Sequence, residues 1–270
     1  MIEKLVILAR GLGTRMRKQS GEASVAGEQA AAADSGVKAL IPFDRPFLDY
    51  VLGNAAEAGY REICLVIGPD HDALRRYYGE QVEAKRLSFH FAVQEEPRGT
   101  ADAVAAAEDF ADGDHVVVLN SDNLYPAGAL AALGELSGAG VALFEQEAML
   151  AGSNVPADRL LKFAIGRSDS EGNLEEIIEK PDKAVFDALP APHWVSMNCW
   201  RFGPSIFEAC RNIEPSPRGE LELPDAVTYA MRELGERFEV VQCREPVLDL
   251  SCRDDIGPVG ERLKALRVEL

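Results

Sequence analysis

The N-terminal half of the chain alternates between short apolar segments and helical ones, and this alternation limits the folds that are open to it. Three apolar runs, at residues 4–9, 62–68 and 115–120, are rich in β-branched residues and have the length of buried strands. Helical segments lie between them, and the helix that begins near Arg45 is expected to end at Gly59. Strands that are apolar on both faces and separated by helices predict a mainly parallel sheet with helices on both sides.

The second half of the chain has a different pattern. Residues 160–181 are expected to form two strands joined by a polar turn, and residues 193–202 a further strand. A closing helix is predicted within residues 253–270, broken near Pro258 because proline lacks the N–H group that a helix interior needs. No repeat, linker or shift in composition divides the chain, so we expect one domain over residues 1–270.

Residues 19–36 interrupt the pattern between the first strand and Val37. The segment is rich in alanine, glycine and serine. Loops of this length in compact domains are usually functional or disordered. We therefore predict a mobile insertion at residues 19–36.

Composition limits the partners that the chain is expected to bind. It has 270 residues and a net charge of −17, so nucleic acid and anionic membrane surfaces, which attract cations, are not expected partners. No apolar run approaches the roughly 20 residues that a membrane-spanning helix needs. The five cysteines form no Cys-x-x-Cys pair, and the apolar run after Lys4 is too short for a secretory signal. We expect a cytoplasmic protein.

Positive charges are concentrated directly after the first strand of this acidic chain, at Arg15, Arg17 and Lys18. They follow a glycine-rich turn, and such a turn in an α/β sheet exposes backbone N–H groups that bind phosphate. The turn lacks the third glycine of a dinucleotide-binding loop and the Gly-Lys-Ser/Thr end of a P-loop. An arginine can bind two phosphate oxygens at once, so the turn indicates a polyphosphate site. The alternative is a structural turn with solvated cations.

Seven further segments follow the turn, at residues 37–59, 93–104, 116–126, 177–181, 196–202, 217–227 and 247–256. In this order and spacing the set resembles the sugar-phosphate nucleotidylyltransferases, which make nucleotide sugars from a nucleoside triphosphate and a sugar 1-phosphate. The resemblance covers residues 3–256 and is strongest to the short thymidylyl- and uridylyltransferase-like members. It implies a Rossmann-like three-layer α/β/α nucleotidyltransferase fold with a mainly parallel mixed central sheet. A nucleotide-binding part would span residues 1–125, and a sugar-binding part residues 126–256.

The resemblance assigns the nucleotide site to the opening turn and to two later segments. Arg10 departs from the family pattern, in which a small residue is usual at this position. An amide such as that of Gln94 can pair with a donor and an acceptor on a pyrimidine edge, which suits uracil or thymine. The nucleotide-binding positions of the family are matched by Ala9, Gly11, Gly13, Thr14, Gln94 and Gly99, with Arg15 on the triphosphate.

The same resemblance implies a Mg²⁺ site with two aspartates. Asp122 follows a predicted strand, at the edge where an open α/β sheet usually binds its ligand. Asp249 matches the second metal aspartate, although Ser251, Cys252 and Arg253 replace the usual Gly-Thr-Pro-like turn. Carboxylates suit Mg²⁺, which also binds phosphate oxygens. The alternative for Asp122 is a turn-capping role.

The sugar phosphate is assigned by resemblance to four residues of the second half, Glu179, Lys180, Asn198 and Glu220. Glu179 would accept hydrogen bonds from sugar hydroxyls, and Lys180 would pair with the sugar phosphate. Arg15, Lys38 and Lys180 are the cations expected to neutralise charge during catalysis. The alternatives at these positions are solvated charges on a strand or a helix.

The reaction implied is transfer of a nucleotidyl group from UTP or dTTP to a sugar 1-phosphate, with glucose 1-phosphate favoured and pyrophosphate released. The attacking phosphate is already anionic at neutral pH, so no protein nucleophile is needed. Three alternatives stay open: a nucleotidylyltransferase with a non-sugar acceptor, a glycosyltransferase of similar architecture, and a non-catalytic nucleotide-sugar-binding module. Assembly into a homo-oligomer also stays open.

Overall fold

The computed structural model describes residues 2–18 and 27–270. The strands are β1 (Lys4–Leu8), β2 (Glu62–Ile67), β3 (Ser88–Val93), β4 (Val116–Asn120), β5 (Asn123–Leu124), β6 (Ala139–Glu145), β7 (Ala164–Ser168), β8 (Leu174–Ile178), β9 (Trp194–Phe202), β10 (Phe238–Cys243) and β11 (Leu248–Asp249).

The helices alternate with the strands through the first half of the chain and are more scattered in the second. They are α1 (Thr14–Arg17), α2 (Glu28–Ser35), α3 (Phe47–Glu57), α4 (Asp72–Arg76), α5 (Thr100–Ala105), α6 (Glu108–Ala111), α7 (Ala127–Glu135), α8 (Gln146–Gly152), α9 (Ala157–Leu160), α10 (Lys183–Ala188), α11 (Ser205–Asn212), α12 (Leu223–Glu233) and α13 (Ile256–Leu263). Short 3₁₀ segments are found at Lys38–Leu40 and Arg253–Asp255, and a π-helical turn at Tyr77–Gln81. Among the residues that the structure describes, none of the helices has the length and apolar character to cross a bilayer.

The central sheet has the strand order β10-β6-β9-β4-β1-β2-β3, with β7 paired to β9 and β8 paired to β7. Strands β3, β2, β1 and β4 are parallel, and β10 is parallel to β6. The long strand β9 lies antiparallel between β4 and β6. The predicted mainly parallel, mixed sheet is therefore confirmed.

Alternating residues of the strands supply two separate cores, one on each face of the sheet. In β1, Leu5 and Ile7 join the core that contains helices α3, α7 and α13, whereas Val6 joins the core that contains α5, α11 and α12. Both cores are built mainly from aliphatic and aromatic side chains with no exposure to solvent. The arrangement is the predicted three-layer α/β/α fold.

Two local expectations differ from the structure. The first eight residues of the predicted insertion 19–36 lie outside the described residues, but Glu28–Ser35 form helix α2, since its run of alanines consists of strong helix formers. Helix α13 runs through Pro258 without a break, because this proline lies in the first helical turn, where its missing N–H would have no helical partner.

The topology of the sheet decides where a ligand can bind. After β1, the chain forms β2 and β3 on one side of β1, and β4 then pairs with the other side. The carboxyl ends of these four parallel strands lie at one edge of the sheet. Such a reversal of strand order opens a crevice at the carboxyl edge, which is where open α/β sheets bind their ligands.

Candidate active site

A cleft of about 460 Å³ opens at this edge of the sheet. Its walls come from the turn after β1, the 3₁₀ segment at Lys38–Leu40, the residues after β3 and the residues after β4. Of the residues predicted to bind the nucleotide, the cleft is lined by Ala9, Gly11, Thr14, Lys38, Gln94 and Gly99.

A second cavity of about 280 Å³ adjoins the cleft. It is lined by predicted sugar-phosphate and metal residues from the second half of the chain, among them Glu179, Lys180 and Asp249. Five residues line both cavities: Thr100, Asn120, Asp122, Asn198 and Glu220. The two cavities can therefore hold two ligands side by side, with Asp122 between them.

The turn after β1 uses its two glycines for different purposes. Gly13 has a φ of 60°, and a Cβ atom there would lie 2.1 Å from the carbonyl oxygen of Gly36. Gly13 is the one predicted nucleotide residue that lines neither cavity, and it serves instead to pack the turn against the end of α2. A Cβ atom at Gly11 would meet no atom of the described residues within 4 Å apart from its chain neighbours, so among these residues nothing covers the cleft at this glycine.

The three cations of the opening stretch do not act as a group. Arg17 donates hydrogen bonds from Nε and Nη2 to the carbonyl oxygen of Ser35, which fixes the turn to α2. Arg15 is exposed and lines the second cavity, whereas its neighbour Thr14 lines the cleft. Of Arg15 and Arg17, only Arg15 borders a cavity, whereas Arg17 fixes the turn to α2.

Lys38 and Asp122 are joined by an ion pair between the two cavities. Nζ of Lys38 lies 2.7 Å from Oδ2 of Asp122, and both side chains are about four-fifths buried. The pair compensates both charges within the partly buried cleft. A phosphate group entering the cleft would offer Lys38 a second anionic partner.

The two predicted metal aspartates are brought together by a small antiparallel ladder of β5 and β11. Asp249 pairs with Asn123 in this ladder, and the N–H of Leu250 donates to the carbonyl oxygen of Asp122 at 2.8 Å. Two-residue strands carry no periodicity, which is why sequence patterns alone do not reveal this contact. Both carboxylates border the second cavity.

Asp249 is buried and only partly satisfied. Its Oδ1 accepts hydrogen bonds from Asn123 and Ser251, both at 2.9 Å. Its Oδ2 lies 3.1 Å from Nη2 of Arg159 but accepts no hydrogen bond of good geometry from any residue that the structure describes. Burial, with the nearby charge of Asp122, raises the pKa of Asp249 to about 6, although Arg159 opposes the rise.

These two carboxylates suit a hard cation that takes part of its coordination from a substrate. Asp122 and Asp249 both line the second cavity, and the N–H of Leu250 joins their two segments. Within residues 2–18 and 27–270, no group of three or more His, Cys, Asp or Glu side chains has the arrangement of a metal site. Mg²⁺ commonly binds through one or two carboxylates plus substrate phosphates, so a two-carboxylate set fits this ion better than one that needs a full protein cage.

Gln94 and Gly99 form the end of the cleft that faces β3. The Gln94 side chain is buried, and its Nε2 donates to the carbonyl oxygen of Gly99 at 3.0 Å and to Oδ2 of Asp102 at 2.9 Å. Gly99 has a φ of 128°, and a Cβ atom there would lie 2.3 Å from the carbonyl oxygen of Leu221. Only glycine allows this close crossing of the two loops.

The second cavity contains an arginine that the sequence analysis did not single out. Arg218 lines this cavity and donates to Glu222 from Nε at 3.0 Å and from Nη2 at 2.5 Å. Its Nη2 also lies 3.9 Å from carboxylate oxygens of Glu179 and Glu220. Its position two residues before Glu220 in the segment 217–227 was the available signal.

The carboxylates around Arg218 are stabilised by hydrogen bonds and ion pairs with neighbouring side chains. Burial alone would raise the pKa of Glu222, but hydrogen bonds from Arg218 and Ser216 lower it below its usual value. Glu179 also pairs with its neighbour Lys180 at 2.9 Å, and Lys180 has a left-handed backbone with φ 44°. The cavity thus combines four cationic residues, Arg15, Lys162, Lys180 and Arg218, with carboxylates that can accept hydrogen bonds.

A family model described as "Nucleotidyl transferase" matches residues 32–246 of the chain. The chain belongs to the nucleotidyl transferase family. The resemblance that rests on eight sequence segments is therefore confirmed, and this protein is a nucleotidyltransferase. The family match covers both cavities except for the opening turn and the segment around Asp249.

Two curated relatives of this nucleotidyl transferase come from Haloferax volcanii. One is "Low-salt glycan biosynthesis nucleotidyltransferase Agl11", 29% identical over 236 residues that make up 85% of this chain and 57% of the relative. The other is "UTP--glucose-1-phosphate uridylyltransferase AglF", 25% identical over 96% of both chains. This nucleotidyl transferase therefore spans little more than half of the first relative and nearly all of the second.

Solved structures agree with the fold. A structure described as UDP-glucose pyrophosphorylase complexed with UDP-glucose matches with a TM-score of 0.76 and 20% identity, covering 99% of this chain and 100% of that one. At this identity the match concerns the fold alone. The nucleotidyl transferase fold extends through the second half of the chain, including the second cavity.

Proposed function

We propose that this nucleotidyltransferase transfers a nucleotidyl group from a nucleoside triphosphate to a sugar 1-phosphate, with UTP or dTTP and glucose 1-phosphate favoured. The observation that carries the proposal is the pair of adjoining cavities that share Asp122. One cavity has the glycine-rich turn and Lys38, as a triphosphate site needs. The other combines Lys180 with Glu179, as a sugar phosphate needs.

The base end of the cleft supports a pyrimidine with carbonyl groups. Both N–H groups of the Gln94 amide are used within the protein, so its remaining polar atom is a carbonyl oxygen. A carbonyl oxygen accepts from the ring N–H of uracil or thymine. The name of the relative AglF includes UTP, and the similar solved structure contains UDP-glucose. Both names agree with this proposal for the base.

A Mg²⁺ ion would be held by Asp122 and Asp249. When bound, it supplies positive charge to phosphate oxygens. The two aspartates would supply its carboxylate ligands from the protein, and Arg159 keeps Asp249 in place. The feature that supports this part of the proposal is that Asp122 and Asp249 are brought together by the β5–β11 ladder and line the same cavity.

The protein's own side chains position two anions for an in-line displacement. An oxygen of the sugar 1-phosphate forms a bond to the α-phosphorus, and the bond from that phosphorus to the bridging oxygen breaks, so that pyrophosphate leaves with the electron pair. Lys38 moves from Asp122 to phosphate oxygens of the triphosphate. Arg15, which the resemblance assigned to the triphosphate, lines the second cavity instead. In this proposal Arg15, Lys180 and Arg218 hold the acceptor phosphate against the repulsion between the two anions.

The second cavity, where the acceptor would bind, favours a hydroxyl-rich group. Glu179 and Glu220 present carboxylate oxygens, which accept hydrogen bonds from hydroxyls. Phe163 is the single aromatic residue among those that line this cavity in the described chain, whereas a quaternary amine would need an aromatic cage. A phosphocholine-like acceptor is therefore disfavoured. The cytoplasmic location and a homo-oligomeric state remain predictions.

The proposal is tested by measuring pyrophosphate release with Mg²⁺ for a grid of substrates. UTP, dTTP, CTP, ATP and GTP are each combined with the 1-phosphates of glucose, galactose, mannose and N-acetylglucosamine. We expect release with UTP or dTTP, fastest with glucose 1-phosphate. If the protein binds a triphosphate but releases no pyrophosphate with any sugar 1-phosphate, the acceptor is not a sugar phosphate of this set.

A further inference from the structure

The Gln94 side chain is held in one orientation by groups behind it. It follows β3, lines the cleft and is 4% exposed. Its Nε2 donates one hydrogen bond to the carbonyl oxygen of Gly99 and one to the carboxylate of Asp102. Both donors of the amide are thereby used, and neither is available to a ligand.

The carbonyl oxygen of the same amide is in the opposite situation. Oε1 of Gln94 accepts no hydrogen bond from any residue that the structure describes. This oxygen is not fully buried, so a ligand in the cleft can reach it. Because Gln94 borders the cleft, this oxygen is the polar atom that the side chain offers to a ligand. The protein therefore presents an acceptor at this position.

Turning the amide over would be costly. A flipped Gln94 would place Oε1 against the carbonyl oxygen of Gly99 and the carboxylate of Asp102, and both of these groups accept only. The flip would break both hydrogen bonds of the amide. It would also place Oε1 of Gln94 against the Gly99 and Asp102 oxygens, with no hydrogen between them. The carboxylate of Asp102 is itself fixed by Arg98, whose Nη2 donates to its other oxygen at 2.5 Å.

Arg10 adds a donor at the same end of the cleft. Its Nε donates to the backbone carbonyl oxygen of Gln94 at 3.2 Å, so the guanidinium lies beside this residue, and it also lines the cleft. A guanidinium has only donors. A ligand edge that matches this end of the cleft must therefore carry an N–H group next to a carbonyl oxygen.

We propose that Asp102 is a positioning residue that sets the base specificity of the enzyme by fixing the orientation of the Gln94 amide. Uracil, thymine and guanine present a ring N–H beside a carbonyl group and match the fixed acceptor. Cytosine and adenine present a bare ring nitrogen, an acceptor, which the Gln94 oxygen repels. This inference rests on the proposed binding of a nucleoside triphosphate in the cleft and specifies the chemical class of its base.

The experiment compares UTP with CTP in the wild-type protein and in Asp102→Asn. Asparagine keeps the size of the side chain but has one acceptor and one donor. Arg98 donates to the oxygen of this new amide, so the N–H₂ group of the new amide faces Gln94. Neither orientation of the Gln94 amide then satisfies every partner. We measure dissociation constants by calorimetry, and kcat and KM by pyrophosphate release.

The preference for UTP over CTP should fall by about tenfold in Asp102→Asn, chiefly through KM and the dissociation constants, as expected for one misdirected hydrogen bond. Asp102→Ala should lose less of the preference, because alanine brings no donor and the Gly99 carbonyl still orients the amide. The matched control is Asp109→Asn, on the exposed face of α6, which should keep the wild-type preference.

The outcomes separate this inference from the proposed function. An unchanged preference in Asp102→Asn, or a larger loss in Asp102→Ala than in Asp102→Asn, would overturn the positioning role. A wild-type protein that binds UTP and CTP equally well would overturn it too. Selective binding that disappears in Asp102→Asn supports the inference even if no sugar 1-phosphate is turned over, a result that would count against the proposed function alone.

Discussion

At the scale of single residues, Lys38 and Asp122 show how the cleft can be charged and yet stable without a ligand. The two groups neutralise each other at 2.7 Å, in a position where either charge alone would be poorly solvated. In the proposed reaction they separate, since Lys38 binds phosphate and Asp122 binds Mg²⁺. The ion pair thus prepares the site for two substrates of high negative charge.

Replacing Asp122 by asparagine tests this role directly. Asp122→Asn removes the charge that would hold Mg²⁺, so we expect kcat to fall by about 100-fold or more. The control is Asp114→Asn, which breaks a similar ion pair with Lys4, 2.8 Å apart, at the opposite end of β4. Turnover should be unchanged in the control, and steady-state rates at saturating Mg²⁺ provide the comparison. Equal activity of Asp122→Asn and wild type would remove Asp122 from the metal site.

At the scale of elements, the turn between β1 and α1 owes its shape to Gly13. The left-handed backbone there brings the turn onto Gly36, at the end of α2, and Arg17 reinforces the contact through Ser35. The neighbouring Gly11 has no such contact and lines the cleft. One glycine is therefore needed for folding and the other for access of a ligand.

Two alanine substitutions distinguish these roles. Gly13→Ala places a Cβ atom 2.1 Å from a backbone oxygen, so we expect unfolding free energy to fall by about 1–3 kcal/mol. Gly11→Ala meets no atom of the described residues within 4 Å, so it should change stability by less than about 0.5 kcal/mol, but it should weaken triphosphate binding. Urea unfolding and calorimetric titration measure the two effects. The same stability loss in both variants would contradict this division.

The sequence predicted the elements that follow regular patterns and missed those that depend on contacts between distant segments. The apolar runs of β1, β2 and β4 identified the parallel sheet, because strands buried on both faces are apolar throughout. The ladder of β5 and β11 is too short to have a period, so the proximity of Asp122 and Asp249 came only from the family resemblance. Arg218 was missed because a solvated surface arginine has the same sequence signature.

At the scale of the whole molecule, Arg159 joins Asp249, a predicted metal ligand, to the turn that follows β11. This side chain of α9 is largely buried and lies 3.1 Å from Asp249 and 2.8 Å from Asp255. Asp255 in turn accepts hydrogen bonds from the backbone N–H groups of Ser251 and Cys252. One guanidinium therefore stabilises the whole turn after β11, which departs from the usual family sequence.

Loss of Arg159 should destabilise the protein. Arg159→Met leaves two buried carboxylates without their cation, so we expect the unfolding free energy without Mg²⁺ to fall by about 3–5 kcal/mol. Arg167→Met is the control, since Arg167 pairs with Glu175 and Glu176 at the surface and should contribute less than about 1 kcal/mol. Denaturant unfolding of both variants measures the difference. Similar losses in the two variants would show that the buried network contributes no more to the unfolding free energy than a surface ion pair does.

The molecule as a whole is strongly acidic, with a net charge of −17, yet both proposed substrates are anions. Binding of these anions would therefore depend on the local cations that surround the two cavities. Arg15, Lys38, Lys180 and Arg218 border them. Lys38, Lys180 and Arg218 each form an ion pair with a carboxylate that also lines these cavities. Long-range repulsion is screened by salt, whereas these short contacts are not.

The most direct test of the account follows the α-phosphorus of the triphosphate. UTP or dTTP labelled at the α-phosphorus is incubated with the protein, Mg²⁺ and glucose 1-phosphate, and the products are separated after phosphatase treatment. We expect the label in a phosphatase-resistant nucleotide sugar, with one pyrophosphate released for each molecule formed. Label that stays in the triphosphate, or that is recovered only as free nucleotide, would contradict nucleotidyl transfer to a sugar phosphate.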